Sequence, residues 1–148
     1  MHFNRTSSKD PDFIGLVREL DAELAIRDGD DHAFYAQFNG LENIKYVLLA
    51  YENSSAIGCG AIKEYNEATM EIKRMFVPLS GRRKGVASGI LNRLEKWAGE
   101  LGYAKCILET GFKQHEAIAL YQNQGYKRIP NYGQYENVKE SLCFEKIL

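Results

Sequence analysis

The chain is poor in the residues that carry several kinds of chemistry. Its 148 residues include three cysteines and three histidines. Cys59, Cys106 and Cys143 lie far apart inside apolar runs, an odd set that builds no disulfide framework and reads as reduced packing residues. With His2, His32 and His115 they form no CxxC, HxxxH or HExxH pattern, so no metal is expected. Only three prolines punctuate the chain, and it has no low-complexity stretch or internal repeat, so residues 1–148 read as one domain without linkers. Apolar runs are short: Val47 to Tyr51 falls far below the roughly 20 residues of a membrane helix. The first ten residues lack the apolar stretch of a secretion signal, so a soluble, cytoplasmic protein is expected. Neither sign of charge dominates. With 19 Lys and Arg against 20 Asp and Glu, the net charge of −1 supplies no global field to gather nucleic acid or an anionic membrane.

What the chain does have is clear periodicity. Asp10 can cap a helix that starts at Pro11, with Phe13, Leu16, Val17, Leu20 and Leu24 at helical spacing and an end before Asp28-Gly29. A second, short helix is expected around Ala33 to Phe38. Lys45–Tyr51, Ala56–Tyr65 and Thr69–Val77 read as three strands of an antiparallel meander, stopped by Pro78. A long amphipathic helix then places Val86, Ile90, Leu94, Trp97, Ala98 and Leu101 on one face, with Trp97 in the core. Strand 105–110, helix 116–124, strand 126–129 and a carboxy-terminal strand 141–147 complete an α/β (α+β) sandwich built on one main sheet.

The most informative segment runs from Glu71 to Ala87: a strand, a proline, a loop with Gly81, Arg82, Arg83, Lys84 and Gly85, then a helix. Unpaired N–H groups at a helix start carry the positive end of the dipole, and glycine lets the main chain come close, so this order of elements points to a phosphoryl group. No GxxxxGK[ST] and no GxGxxG after a strand is present, which excludes the two commonest glycine-rich nucleotide loops. The spacing is Arg82-x-x-Gly85-x-Ala87.

With these residues the chain resembles the GNAT superfamily of acetyl-CoA-dependent N-acetyltransferases, whose diphosphate loop is written [Q/R]-x-x-G-x-[G/A]. Glu71–Pro78 before the loop and Val86–Leu101 after it are similar to the family's fourth strand and third helix. Leu108-Glu109-Thr110-Gly111 followed by Ala117–Tyr126 is similar to its fifth strand and fourth helix. The resemblance implies a mixed, mainly antiparallel sheet with helices on both faces, whose fourth and fifth strands splay apart around the pantetheine arm of acetyl-CoA. It implies main-chain contacts to that arm from Met75, Phe76 and Val77. It implies a diphosphate held by amides of Arg83, Lys84, Gly85, Val86 and Ala87, with charge from Arg82 and Lys84. Gln114 stands where many members carry an Asn that touches the cofactor. Tyr121 matches the family's usual general acid, and Glu71 a strand position where some members place the base. Direct transfer of acetyl to a primary amine of a small molecule or amino acid, without metal, is the implied reaction.

Other readings stand beside these. The cationic run can be a solvated surface stretch or, less in keeping with a slightly acidic chain, a nucleic-acid patch. Tyr121 can be a half-buried helix aromatic, and Glu71 can pair with Lys73 or Arg74. Strand alternation places Glu71, Lys73, Met75 and Val77 on one face. Glu64, Glu109, His115 or water are alternative bases, and the loop Asn131–Tyr135 is a candidate wall for the acceptor. A non-catalytic acyl-CoA-binding module and acetylation of protein or peptide amines are the alternative functions, and the carboxy-terminal edge strand is compatible with a homodimer.

Overall fold

In the computed structural model, residues 1–28 and 44–148 are described. The helix expected at 33–38 lies outside them. Helix α1 (Pro11–Asp28) starts as the sequence dictates: the Asp10 carbonyl accepts from the Ile14 N–H at 3.0 Å, and its carboxylate accepts from the Asp12 N–H at 2.9 Å. Before it stands a strand that periodicity does not reveal, β1 (His2–Thr6), polar and exposed along most of its length. Five further strands and two helices match the expected order to within a residue or two: β2 (Tyr46–Glu52), β3 (Ser55–Asn66), β4 (Thr69–Phe76), α2 (Val86–Glu100), β5 (Lys105–Gly111), α3 (His115–Asn123) and β7 (Ser141–Ile147). The short β6 (Lys127–Ile129) precedes β7.

The seven strands form one sheet in the order β1-β2-β3-β4-β5-β7-β6. Every neighbouring pair is antiparallel except β4 and β5. Helices cover both faces, so the central strands are apolar at successive positions rather than alternating. In β2, Val47 and Leu49 face α1 with Phe13, Leu16 and Val17, while Leu48 and Ala50 face α2 with Ile90, Leu91 and Leu94. A methyl group at Gly60 would sit 2.8 Å from Ile90 and 2.9 Å from Leu94, so glycine here sets how closely α2 lies on the sheet. Two expected members of the α2 stripe sit at its margin. Trp97 is half-buried, with the Arg5 guanidinium 4.7 Å from its ring centre, and Leu101 is 40% exposed.

The feature that shapes everything downstream is a bulge in β4. Ala61 pairs with Lys73 and Cys59 with Phe76, so β4 spends one residue more than β3 over this stretch. The extra residue is Arg74, held in the left-handed region at φ 57°. Such a conformation is costly for a non-glycine residue and persists only when its surroundings enforce it. The bulge corrects the simple alternation: Glu71 and Lys73 share one face, whereas Met75 and Val77 turn to the opposite face and pack with the α2 core. It also coincides with separation of the strands. Pairing of β4 with β5 stops at Glu71 opposite Ile107, although β4 continues to Phe76 and β5 to Gly111.

Cys59, Cys106 and Cys143 are free and buried, as the sequence suggests, and burial raises the Cys59 thiol to about 12. Among the described residues no three His, Cys, Asp or Glu gather to hold a metal, and no helix is long and apolar enough to cross a membrane. Leu94 is fully buried between α2 and the sheet. Leu94→Ala is expected to lower stability by about 2–5 kcal/mol, read from the urea midpoint at unchanged slope.

Candidate active site

Two adjoining cavities of about 150 and 210 Å³ occupy the cleft where β4 and β5 part. Leu20, Leu24, Met75, Gln114, Ala117 and Tyr121 line both, so the two are halves of one cleft with Tyr121 at their junction. The smaller half contains Glu71, Lys73, Glu109 and Tyr135; the larger contains Phe76, Val77, Arg82 and Ala87. The two half-sites expected from the sequence are therefore contiguous.

Glu71 is 7% exposed, and the partner of its carboxylate is a phenol rather than a cation: the Tyr132 hydroxyl donates to it at 2.7 Å. Burial, then the adjacent Glu71 charge, pushes the Tyr132 phenol well above its ordinary value, so it remains a donor. Arg74 does not pair with Glu71. Its guanidinium, almost wholly buried, turns to Asp21 of α1 at 2.5 Å. The other candidate bases separate by position. Glu109 shares the cavity and accepts from the Ser141 hydroxyl at 2.7 Å. Glu64 is exposed and bonded to the Tyr103 hydroxyl, and His115 is exposed at the start of α3; neither lines the cleft. The loop at 131–135 contributes as expected, Tyr132 by holding Glu71 and Tyr135 by walling the cavity.

Tyr121 is carried on α3 with its ring packed edge-on to Tyr126 at 5.8 Å and tilted on Phe144 at 6.4 Å. It is 6% exposed, and burial together with the Glu109 charge drives its hydroxyl well above the usual phenol range. At neutral pH the phenol is protonated, and its residue lines both halves of the cleft.

On the other side, the loop after β4 keeps its glycine logic. Arg83 and Gly85 are left-handed at φ 64° and 76°, and Gly85 caps α2 without a side chain. The first amides of α2 are thus left without a side-chain cap at the place expected to meet phosphate. The cations divide unexpectedly. The Arg82 Nε donates to the Val77 carbonyl at 2.8 Å and its Nη2 pairs with Glu23 at 3.0 Å, while Lys84 pairs with Glu52 at 3.0 Å. Arg83 is exposed and, among the described residues, makes no ion pair. Gln114 lies between the half-sites with its Nε2 buried and, among the described residues, without a partner, an orphan donor that fits an arm bearing amide carbonyls. Sequence reasoning missed Glu23 and Arg27, because ordinary polar residues at a helix end carry no motif, and it placed Tyr132 in a wall without foreseeing its bond to Glu71.

A cleft between parted strands that runs up to a glycine-capped helix start has the form expected for an extended arm ending in a phosphoryl group. Comparison with known proteins agrees. The Acetyltransferase (GNAT) family pattern matches residues 14–126. An IAA acetyltransferase of Azospirillum brasilense is 34% identical over 91% of this chain and 90% of its own. A solved Klebsiella pneumoniae structure, named as a candidate acyl-CoA N-acyltransferase, is 28% identical, covers 99% of this chain and 97% of its own, and has a TM-score of 0.83. A GNAT acetyltransferase of Elizabethkingia anophelis with acetyl-CoA bound shares the fold at 19% identity and a TM-score of 0.70, over 99% and 97% of the two chains. The chain belongs to the GNAT superfamily of N-acetyltransferases.

Because the Tyr121 shift favours the protonated form, this phenol should contribute no phenolate signal up to about pH 11. The check is ultraviolet difference titration of wild type against Tyr121→Phe. A phenolate step near pH 10 that disappears in the variant contradicts the burial argument.

Proposed function

We propose that the chain is a single catalytic domain that transfers acetyl directly to a primary amine of a small molecule or amino acid, in a ternary complex, with Glu71 as base and Tyr121 as acid. The observation that carries this reading is their placement: a buried carboxylate bound by a phenol and a buried, protonated phenol line one cleft from opposite sides of the strand split. Acetyl-CoA, when bound, supplies an activated thioester.

The residues divide the remaining work. An alkylammonium is only about one part in 10³ to 10⁴ neutral at pH 7, so the acceptor must lose a proton, and Glu71 lies where it can take it. Main chain around Met75, Phe76 and Val77, beyond the part of β4 that pairs with β5, offers strand-like hydrogen bonding to the pantetheine arm. An N–H aimed at the carbonyl oxygen from the Met75 region would stabilise the developing charge by roughly 3 kcal/mol. Amides of Arg83, Lys84, Gly85, Val86 and Ala87 hold the diphosphate, with Arg83 the most available cation and Arg82 and Lys84 contributing nearby charge. Tyr121 protonates the departing thiolate. The smaller cavity, about 150 Å³, suits a compact acceptor, and Glu71 and Glu109 suit a cationic one.

Thiol release from acetyl-CoA against a panel of amines tests the activity. On an accepted amine, Tyr121→Phe should lower kcat by about 10²–10⁴-fold while CoA still binds, and an unchanged kcat removes its acid role. Glu71→Gln should cost at least about 10²-fold near pH 7, with the deficit narrowing as pH rises and more acceptor becomes neutral. A deficit that stays constant with pH contradicts the base assignment.

A further inference from the structure

The last turn of α1 reaches across the larger half of the cleft, and its side chains form a chain of contacts there. Arg82 pairs with Glu23 at 3.0 Å, Glu23 pairs with Arg27 at 3.0 Å, and Arg27 meets Glu116 at 3.1 Å and the Gln114 Oε1 at 2.7 Å. All of these residues line the cavity that the acyl-CoA arm would fill. The contact between Arg27 and Gln114 has a chemical consequence. A guanidinium carries donors and no acceptor, so the Gln114 amide can meet it only through oxygen. Its NH₂ must then point away from Arg27.

That NH₂ is the orphan. Gln114 is 9% exposed, and its Nε2 is buried with no hydrogen-bond partner among the described residues. Gln114 precedes the first turn of α3, yet its side chain makes no capping bond to its own helix. It therefore serves neither of the partners usual at that position. A neutral NH₂ donor buried in a cleft needs an acceptor, and the group that satisfies it is a carbonyl rather than an amine or a cation. Glu23 and Glu116 hold the guanidinium from two directions, so the oxygen-in, nitrogen-out orientation of the amide is set before any ligand arrives.

We propose that Arg27 is a positioning residue for the acyl donor: by binding the Gln114 oxygen it turns the Gln114 NH₂ toward the cleft, where that group donates to a carbonyl of the acyl-CoA arm. This rests on the cleft being the acyl-CoA site. It adds a residue from α1, outside the loop and strand motifs, to the groups that determine donor affinity. Arg27 acts through Gln114, and its charge does not act on the phosphates.

Calorimetry of the full chain with CoA and acetyl-CoA tests it, using Arg27→Met, Arg27→Lys, Gln114→Leu and the double variant Arg27→Met/Gln114→Leu. Each of Arg27→Met and Gln114→Leu should weaken binding about tenfold, the scale of one lost hydrogen bond with its partner left unpaired. The double variant should bind no more weakly than the weaker single one, because the two residues act as a unit. Arg27→Lys, which also offers only donors, should recover most of the affinity. In steady state the loss should fall on KM for acetyl-CoA rather than on kcat. It should also persist from about 50 to 500 mM salt, where an exposed charge acting on phosphate would be screened. Losses that add in the double variant, or a loss that disappears at high salt, overturn the proposal, as does wild-type affinity in Arg27→Met. Absence of any CoA binding by the wild-type chain instead overturns the assignment of the cleft, so the two failures are distinguishable.

Discussion

The site depends on one surplus residue. By holding Arg74 in a left-handed conformation, β4 takes one residue more than β3 and leaves the β5 ladder after Glu71. A regular parallel pair would close the sheet and leave no cleft. The strain is supported on several sides: the Arg74 guanidinium is anchored to Asp21, and the Cys59 thiol meets its carbonyl at 3.4 Å. The same bulge divides the strand's duties. Before it, Glu71 and Lys73 face the smaller cavity; after it, Met75 and Val77 join the core under α2, leaving their main chain beside the larger one.

Around that opening, the fold arranges polar groups by burial rather than by net charge. Tyr121 and Tyr132 are both driven upward by burial and by neighbouring carboxylates, so each is a donor across the working pH range. The Glu71 carboxylate accepts from the neutral Tyr132 hydroxyl. Beside the larger cavity, ion pairs tie Arg82 to Glu23 of α1 and Arg27 of α1 to Glu116 of α3, and α2 starts without a side-chain cap. Helix α1 thus does more than cover the sheet. Its first half supplies Phe13, Leu16 and Val17 to the core, and its last turns supply Leu20, Glu23, Leu24 and Arg27 to the cleft.

Much of this was legible in the sequence where the physics is local. Asp10-Pro11 marks a helix start, the glycine-bounded stretch Gly81–Gly85 leads into an amphipathic helix, and Lys45–Tyr51, Ala56–Tyr65 and Thr69–Val77 read as an antiparallel meander. The loop Arg82-x-x-Gly85-x-Ala87 and the Tyr121 helix could be read because they stand at the separation of two motifs that the chain shares with the GNAT superfamily. Non-local features were hidden. The bulge at Arg74 leaves no composition signal, since an arginine gives no hint of a positive φ, and the simple alternation rule consequently put Met75 and Val77 on the wrong face. β1 is short and mostly polar, and becomes a strand only because β2 offers it an edge. The capture of Arg82 by Glu23 and of Glu71 by Tyr132 joins residues 59 and 61 positions apart, beyond the reach of any periodicity.

If Tyr121 acts as proposed, the parting of β4 and β5 receives the acyl-donor arm and brings its sulfur to that phenol. A crystal structure of the chain with CoA measures this directly. The account requires the arm to lie between Met75–Val77 and Gln114–Ala117, with its sulfur within about 3.5 Å of the Tyr121 hydroxyl oxygen. A cleft still filled by side chains, or a sulfur well away from that hydroxyl, would contradict it.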